Sequence, residues 1–273
     1  YLYVEVDVNA YYNPSLAPNA AAVKTVVSNN ITAYADSAEM NKYGAKFKYS
    51  QFQSIIDNSN DSITSNITKV EIRRDMQPKL NQIAEYELCF GNPFYIKNME
   101  IGYNIKSSGF NISGMADPVY LGDKPNANGR TGILFFFKLE SRNNPVIVSN
   151  NVGTVDYERA EILLKPINIT GTSKKMNNIP IIEVSACPRS NDVIGLQDLY
   201  LQLDVGNSTV DMVVDNITSG DSSAGTMYTA TSSYNEGSIA RLTEEDTLNT
   251  TLTSSDTYII GSTTPTTVTL APY

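Results

Sequence analysis

Short apolar runs separated by turn signals constrain the fold of this chain more than any other feature of its sequence. Between residues 78 and 205 such runs recur roughly every ten residues, with turn clusters such as Gly91-Asn92-Pro93 between them. The candidate strands are 85–90, 94–103, 119–121, 132–139, 146–148, 161–164, 179–184 and 199–205. This spacing, without a strong helical stripe, predicts a β-rich domain, an antiparallel sandwich or barrel-like body.

Residues 1–77 combine strand and helix patterns. Polar and apolar side chains alternate over 1–8 and again over 67–73, as they do in half-buried strands. Apolar residues at three- and four-residue spacing predict a helix that begins near Pro18 or Asn19 and ends near Lys42. A short second helix follows, with Ser50 as its expected N-cap. These elements predict a compact α/β unit.

Residues 206–273 have a different composition from the rest of the chain. They contain 26 Ser and Thr in 68 residues, and eight acidic residues against one basic residue, Arg241. A segment with so few large apolar residues buries little surface by itself, so we expect it to be extended or packed on a neighbour. The predicted fold class is α+β: an α/β subdomain at 1–77, a β-rich domain at 78–205 and this Ser/Thr-rich extended C-terminal segment.

Composition excludes several classes of function. The 273 residues include no histidine, which removes Ser-His-Asp and Cys-His catalysis and the commonest transition-metal ligand. A net charge of −9 argues against wholesale binding to nucleic-acid phosphates. The longest purely apolar run, 133–137, is too short to cross a membrane, and no signal peptide opens the chain. Because the chain starts at Tyr1 in a strand pattern, we expect a fragment or a processed product.

No motif predicts a cofactor, a metal or a small-molecule substrate. Residues 57–61 resemble the start of a calcium loop, but Thr68 stands where the bidentate glutamate is needed. Residues 122–131 only faintly resemble a phosphate-binding loop, and a long hairpin loop is the simpler interpretation. Cys89 and Cys187 fit buried reduced thiols, with a long-range disulfide as the alternative. The pair Arg73-Arg74 is interpreted as surface charge.

Tyrosine is the residue type that most suggests a binding surface, because it supplies large contact area at low entropic cost. The chain has 17 tyrosines. Those predicted to contact a partner are the pair expected in a loop at a strand end and three in the C-terminal segment: Tyr11, Tyr12, Tyr228, Tyr234 and Tyr258.

The order of short segments in the first unit resembles the C-terminal part of baseplate J-like proteins, wedge components of contractile phage tails. The resemblance covers about 1–76 and rests on Tyr3-Val4-Glu5-Val6-Asp7-Val8, Asn41-Lys42-Tyr43-Gly44, Phe47-Lys48-Tyr49-Ser50, Ile56-Asp57 and Ser62-Ile63. The continuation, with Phe90-Gly91-Asn92-Pro93, Ser107-Ser108-Gly109-Phe110 and 152–157, is similar to the large wedge subunits of T-even-type phages. The whole chain is therefore identified as a C-terminal fragment of such a subunit.

The resemblance implies a structural protein without catalytic residues. It implies a wedge component that forms a homodimer and an inner ring around the tail hub, contacts other wedge subunits and transmits rearrangement on contraction. The expected location is the virion tail baseplate, after assembly in the host cytoplasm. Two alternatives remain open: a receptor- or carbohydrate-binding module of a tail fibre or cell-surface protein, and a carboxylate-based glycosidase.

Overall fold

The computed structural model describes residues 1–17, 19–97, 103–140 and 144–215. Most of these residues lie in strands, with two helices near the start, so the α+β, β-rich class is confirmed at that level. The helices are α1 (Ala20–Ala35) and α2 (Tyr49–Asp57). The strands are β1 (Leu2–Tyr12), β2 (Lys42–Tyr43), β3 (Lys46–Phe47), β4 (Ile63–Met76), β5 (Ile83–Cys89), β6 (Lys106–Ser107), β7 (Phe110–Ile112), β8 (Tyr120–Pro125), β9 (Thr131–Glu140), β10 (Asn144–Asp156), β11 (Glu161–Thr172), β12 (Lys174–Met176), β13 (Ile179–Ala186), β14 (Val193–Ile194), β15 (Tyr200–Leu203) and β16 (Thr209–Val214).

The larger sheet has eight strands in the order β12-β13-β4-β1-β15-β2, with β16 also on β1 and β6 on β13. Strand β1 lies near its centre and pairs with β4 antiparallel along nearly its whole length. Its other edge pairs in parallel first with β15 and then with β16. The ends of the described chain therefore meet in one sheet, and the boundaries predicted at 77 and 205 are not sheet boundaries.

The apolar stripe of α1 faces the core through Val23, Val27 and Ile31. The Asn19 side chain caps the helix by accepting hydrogen bonds from the N–H groups of Ala21 and Ala22. The predicted end near Lys42 is wrong, since α1 ends at Ala35. The chain turns there because Met40 is buried and 42–43 pair with β15. Pro18 lies outside the described residues.

The predicted cap of α2 is also wrong. The helix starts at Tyr49, and its N-cap residue Lys48 makes no side-chain capping bond. The N–H of Tyr49 instead donates to Oδ1 of Asp192 at 2.8 Å. A distant loop therefore satisfies a first-turn donor that local sequence cannot satisfy.

The smaller sheet is antiparallel, in the order β5-β11-β10-β9-β8 with β7 also on β11. Among the described strands it is open, with β5 and β8 at its edges. The turn expected near 150–153 lies inside β10, where the pairing with β9 shifts register. Gly153 is needed there because a Cβ would lie 2.2 Å from the Leu163 carbonyl oxygen. The strand expected over 94–103 is absent from its described residues, where Phe94 makes only an isolated bridge to Pro188.

A single cluster of buried apolar side chains spans both sheets and the two helices. It joins Val4 and Val6 of β1 to Phe90 and to Leu134 and Phe136 of β9. Phe135 and Phe137 point to the opposite face of β9 and form a second, smaller cluster. Strand β9 is therefore apolar on both faces, which explains its continuous hydrophobic run. Within the described residues, neither helix combines the length and apolarity that crossing a membrane requires.

Candidate interaction surface

The two faces of the eight-stranded sheet differ in chemistry because side chains alternate along each strand. Even-numbered residues of β1, such as Val4 and Val6, enter the core. Odd-numbered residues, from Tyr3 through Glu5 to Asp7, lie on the opposite face beside the alternate residues of β4. Among the residues that the structure describes, this second face bears most of the buried charged side chains, and it has an aromatic surface at one end.

The buried charge centres on Arg73, whose side chain is only 5% exposed. Its Nη1 lies 2.9 Å from Glu183 Oε1 and 3.2 Å from Glu5 Oε1. Its Nη2 lies 2.8 Å from Asp204 Oδ2, and its Nε lies 3.2 Å from Asp75 Oδ1. We call these five residues the arginine cluster. The interpretation of Arg73 as surface charge is therefore wrong.

The arginine cluster ties together parts of the chain that are far apart in sequence. Glu5 belongs to β1, Arg73 and Asp75 to β4, Glu183 to β13, and Asp204 follows β15. Removing one partner from a buried ion pair leaves an uncompensated charge, which is strongly destabilising. The cluster therefore joins β1, β4, β13 and the residue after β15 on this face of the sheet.

A second charged group follows along β4. Lys69 Nζ and Lys106 Nζ lie 2.6 and 3.4 Å from Glu71 Oε1. Burial raises the pKa of Glu71, but Lys106 and Lys69 outweigh burial and hold this pKa well below its usual range. The Cys187 thiol donates a long hydrogen bond to the same carboxylate, and burial first, then Glu71, raises the thiol pKa to about 11. This thiol is therefore inert at neutral pH.

Four tyrosines form an aromatic surface beside the arginine cluster, and we call it the tyrosine ladder: Tyr1, Tyr3, Tyr43 and Tyr200. Tyr200 and Tyr43 are paired across β15 and β2, with ring centroids 5.3 Å apart in an edge-to-face arrangement. Tyr1 contacts Tyr200 edge-to-face at 5.2 Å and stacks on Tyr3 at 5.9 Å. Arg73 completes the series, with Cζ 4.3 Å from the centre of the Tyr3 ring.

The tyrosines predicted to form an interface are placed differently. Tyr11 and Tyr12 are the last residues of β1 rather than loop residues, and they are 6% and 8% exposed. Tyr12 belongs to the core cluster. Tyr228, Tyr234 and Tyr258 lie outside the described residues. An interface role for these five tyrosines stays a prediction.

Asp123 is the described carboxyl group that most resembles a catalytic acid, because its pKa is raised. Burial raises this pKa, and the hydrogen bonds that the carboxylate accepts lower it by less. It accepts the N–H groups of Asn104 and Ile105 and the hydroxyl of Tyr157, all at 2.7–2.8 Å. Burial and Asp123 raise the pKa of Tyr157, so its hydroxyl stays protonated as the donor. These contacts hold the segment before β6 against β8, which is a structural task.

In both weak motifs, side chains hydrogen-bond to neighbouring residues. Asp57 Oδ1 accepts a hydrogen bond from Asn66 at 2.7 Å. The described residues contain no group of three or more His, Cys, Asp or Glu residues that could hold a metal ion. In the loop before β9, Asn126 and Asn128 both donate to Thr131 Oγ1. Cys89 and Cys187 are free thiols, as the reduced interpretation expects, but both residues are half-buried instead of buried.

The tyrosine ladder was missed by sequence reasoning, although parts of its signal were present. The alternation over 1–8 puts Tyr1 and Tyr3 on the polar side, and Tyr200 lies in a predicted strand. The sequence does not reveal that β15 lies between β1 and β2, because that pairing joins residues about 157 positions apart in the chain.

Comparison with known families identifies one match. Residues 1–75 match the family model described as baseplate structural protein gp6, C-terminal domain III. The matched range contains β1, α1, β2, β3, α2 and all of β4 except Met76. It confirms the gp6-like baseplate resemblance over these residues and supports a structural role in a phage baseplate. No curated protein matches the chain.

Proposed function

We propose that this chain is a structural component of a contractile phage tail baseplate wedge, which self-associates into the inner ring around the tail hub. The observation that supports the proposal most directly is the match of residues 1–75 to a baseplate structural family. The matched residues supply the two central strands of the larger sheet, β1 and β4. The remaining described residues are therefore built around the baseplate-like segment.

The proposed mechanism is mechanical and involves no catalysis or cofactor. A ring component must keep its shape while its interfaces rearrange, so that contraction rotates rigid units. The arginine cluster connects strands β1, β4 and β13 and the end of β15 through buried charge-assisted contacts. A core shared by both sheets adds to this rigidity. Other wedge subunits are the further proposed partners, and the virion tail baseplate, after assembly in the host cytoplasm, is the proposed location.

The proposed self-contacts include the predicted tyrosines. Tyr11 and Tyr12 lie where β1 pairs with β16, so the first part of the Ser/Thr-rich segment, 209–214, packs on the chain's own sheet instead of on a neighbour. In this proposal the rest of the segment, 216–273, packs on a neighbouring subunit and contributes Tyr228, Tyr234 and Tyr258. Tyrosine fits this role because its ring adds contact area with few rotatable bonds.

The first test is the solution mass of the chain over a dilution series by sedimentation or light scattering. We expect a dimer that resists dilution. The triple substitution Tyr228→Ser, Tyr234→Ser and Tyr258→Ser should weaken it, whereas Tyr273→Ser serves as the matched control in the same segment. A strict monomer of about 30 kDa at all concentrations would refute self-association by this chain.

Hydrogen exchange tests the role of the C-terminal segment separately. Amides in 216–273 should exchange more slowly in the dimer than in a dissociating triple variant at equal concentration. Equal exchange in both samples would exclude the segment from the interface while leaving the dimer itself in place.

A further inference from the structure

Three lysines surround a single carboxylate on the charged face of the larger sheet. Lys69 Nζ lies 2.6 Å and Lys106 Nζ lies 3.4 Å from Oε1 of Glu71. The third lysine is Lys97, in the segment that follows Phe94. We call Lys69, Glu71, Lys97 and Lys106 the lysine cluster.

Backbone contacts place Lys97 beside the other two lysines. The N–H of Tyr95 donates to the Cys187 carbonyl oxygen at 3.0 Å, and the Asn104 side-chain amide donates to the carbonyl oxygens of both Tyr95 and Cys187. The Cys187 thiol contacts the Glu71 carboxylate. Residues 95–97 therefore lie next to Glu71, yet within the described part of the chain Lys97 forms no ion pair.

The lysine cluster has a formal charge of +2, because one carboxylate serves three ammonium groups. Two carboxylates of β1 lie next to it. Asp7 is paired in register with Lys69 and lowers the count to +1. Glu5 is paired in register with Glu71, but its Oε1 lies 3.2 Å from Nη1 of Arg73, so these two charges offset each other. Positive charge is in excess by either count.

This excess acts on Lys97 itself. Burial first, then the Lys106 ammonium, lowers the pKa of Lys97 below its ordinary value, and Glu71 offsets this only in part. Each ammonium also has three N–H donors, and the contacts of Lys69 and Lys106 with Glu71 use one donor each. The lysine cluster therefore has both the charge and the donors to hold a further anion.

The burial of the cluster limits the size of that anion. The side chains of Lys69 and Lys106 are only 18% and 9% exposed, and Lys97 is half-buried. A broad acidic surface would reach few of these ammonium groups, whereas one group with two to four oxygens can contact several of them together.

We propose that the lysine cluster binds one compact oxyanion group, with Lys97 as its main charged contact. The shared chemistry is that of phosphate, sulfate and carboxylate, and the group can come from solution or from an acidic protein segment. The chain itself contains such a segment, the acidic run Glu244-Glu245-Asp246. The proposal does not depend on the ring role.

The test titrates the full chain with inorganic phosphate and, separately, with sulfate, while chloride keeps the ionic strength constant. Amide NMR shifts report binding residue by residue. We expect saturable shifts at 69, 97 and 106 with a Kd in about the millimolar range, as suits a few charge contacts that are open to water. Chloride alone should not produce them.

Substitutions separate binding from a structural role. Lys97→Gln should weaken phosphate binding about tenfold, as expected for the loss of one hydrogen-bonded charge, and Lys97→Arg should keep it within about twofold. Lys97→Gln should not lower Tm in chloride, because no described carboxylate forms an ion pair with Lys97. Lys175→Gln is the matched control, since Lys175 is an exposed lysine of β12 in the same sheet.

A further variant distinguishes the two sources of the anion. Glu244→Gln, Glu245→Gln and Asp246→Asn together remove the acidic run. Tighter phosphate binding by this variant than by the natural protein would identify the run as a competing ligand of the lysine cluster. Equal binding would support the site and assign its anion to a source outside the run.

Three results would overturn the proposal. The first is the absence of saturable shifts in both the natural protein and the variant without the acidic run. The second is an equal loss of phosphate affinity in Lys97→Gln and Lys175→Gln, or no loss in either. The third is a lower Tm of Lys97→Gln in chloride, which would assign Lys97 a structural role instead.

Discussion

At the scale of single residues, buried charged groups and the partners around them do most to define this structure. Asp123 and Glu71 illustrate two opposite environments for a carboxyl group. Asp123 is surrounded by neutral donors and its pKa is raised, whereas Glu71 lies between two ammonium groups and its pKa is lowered. The difference arises because burial penalises an isolated charge, while nearby opposite charges favour it.

Asp123→Ala should destabilise the protein by at least about 3 kcal/mol, because two buried N–H groups and the Tyr157 hydroxyl lose their acceptor. Asp123→Asn keeps an acceptor oxygen for the two amides and should cost less than half as much. Urea denaturation measures both variants. Equal losses for Ala and Asn would mean that shape rather than hydrogen bonding sets the role of this residue.

The lowered pKa of Glu71 should make the free energy of unfolding depend on pH in the acidic range. Its native pKa lies below that of the unfolded chain, so its contribution is present above about pH 4.5 and is lost as the pH falls towards the native pKa. Glu71→Gln should destabilise the protein by about 1–3 kcal/mol at pH 7, since Lys69 and Lys106 lose their shared carboxylate. The difference in the free energy of unfolding between the natural protein and Glu71→Gln should become smaller as the pH falls from 5 to 2. A loss that is constant over this range would contradict the assigned pKa direction.

At the scale of elements, the starts and ends of the helices depend on contacts distant in sequence. Helix α1 has a local cap in Asn19, but α2 takes its capping acceptor from Asp192. Strand pairing limits the helices too, because 42–43 pair with β15 instead of extending α1. Local propensity is a weak preference that tertiary contacts override.

Asp192→Ala should therefore lower stability by about 0.5–1 kcal/mol, the usual effect of losing a helix N-cap at an exposed position. Ser50→Ala is the matched comparison, because sequence alone predicts Ser50 as the cap, and it should change stability by less than about 0.3 kcal/mol. Thermal denaturation of the two variants distinguishes the hypotheses. If Ser50→Ala lowered stability more than Asp192→Ala, the hypothesis that Ser50 caps α2 would be supported instead.

At the scale of the whole molecule, the segment that matches the baseplate family is not a structurally separate sheet. Along one edge, strand β1 pairs with β15 and β16. Strand β4 pairs with β13 through 72–76. Residues 1–75 therefore end within a sheet whose neighbouring strands come from 179–214. Arg73 belongs to the matched segment, but Glu183 and Asp204 do not.

A protein consisting of 1–75 alone should fail to fold as a monomer, because β1 and β4 each lose neighbours and Arg73 loses two of its carboxylates. A protein consisting of 1–215 should unfold in one cooperative transition. Circular dichroism and amide NMR dispersion compare the two. Native-like dispersion for 1–75 would show that this segment is an independent domain.

Sequence alone was sufficient for features that depend on local pattern. Alternation over 1–8 predicted β1 and its two faces, and the apolar stripe predicted α1 and its buried side. Regular turn signals predicted the β-rich character of 78–205. These features follow from residues a few positions apart, where steric and hydrogen-bonding rules act directly. The baseplate resemblance, given over about 1–76 and confirmed over 1–75, rests instead on the similarity of whole segments to a known family.

Only the tertiary structure decided which strands are neighbours. The placement of β15 and β2 beside β1 creates the tyrosine ladder, and the pairing of β4 with β13 brings Glu183 to Arg73. Several alternative pairings satisfy the same alternating pattern, because period-two sequences specify a buried face but not a partner. Distinguishing among them requires contacts between strands that are distant in sequence, such as the buried charge pairs and the shared core. These contacts form only in the folded structure.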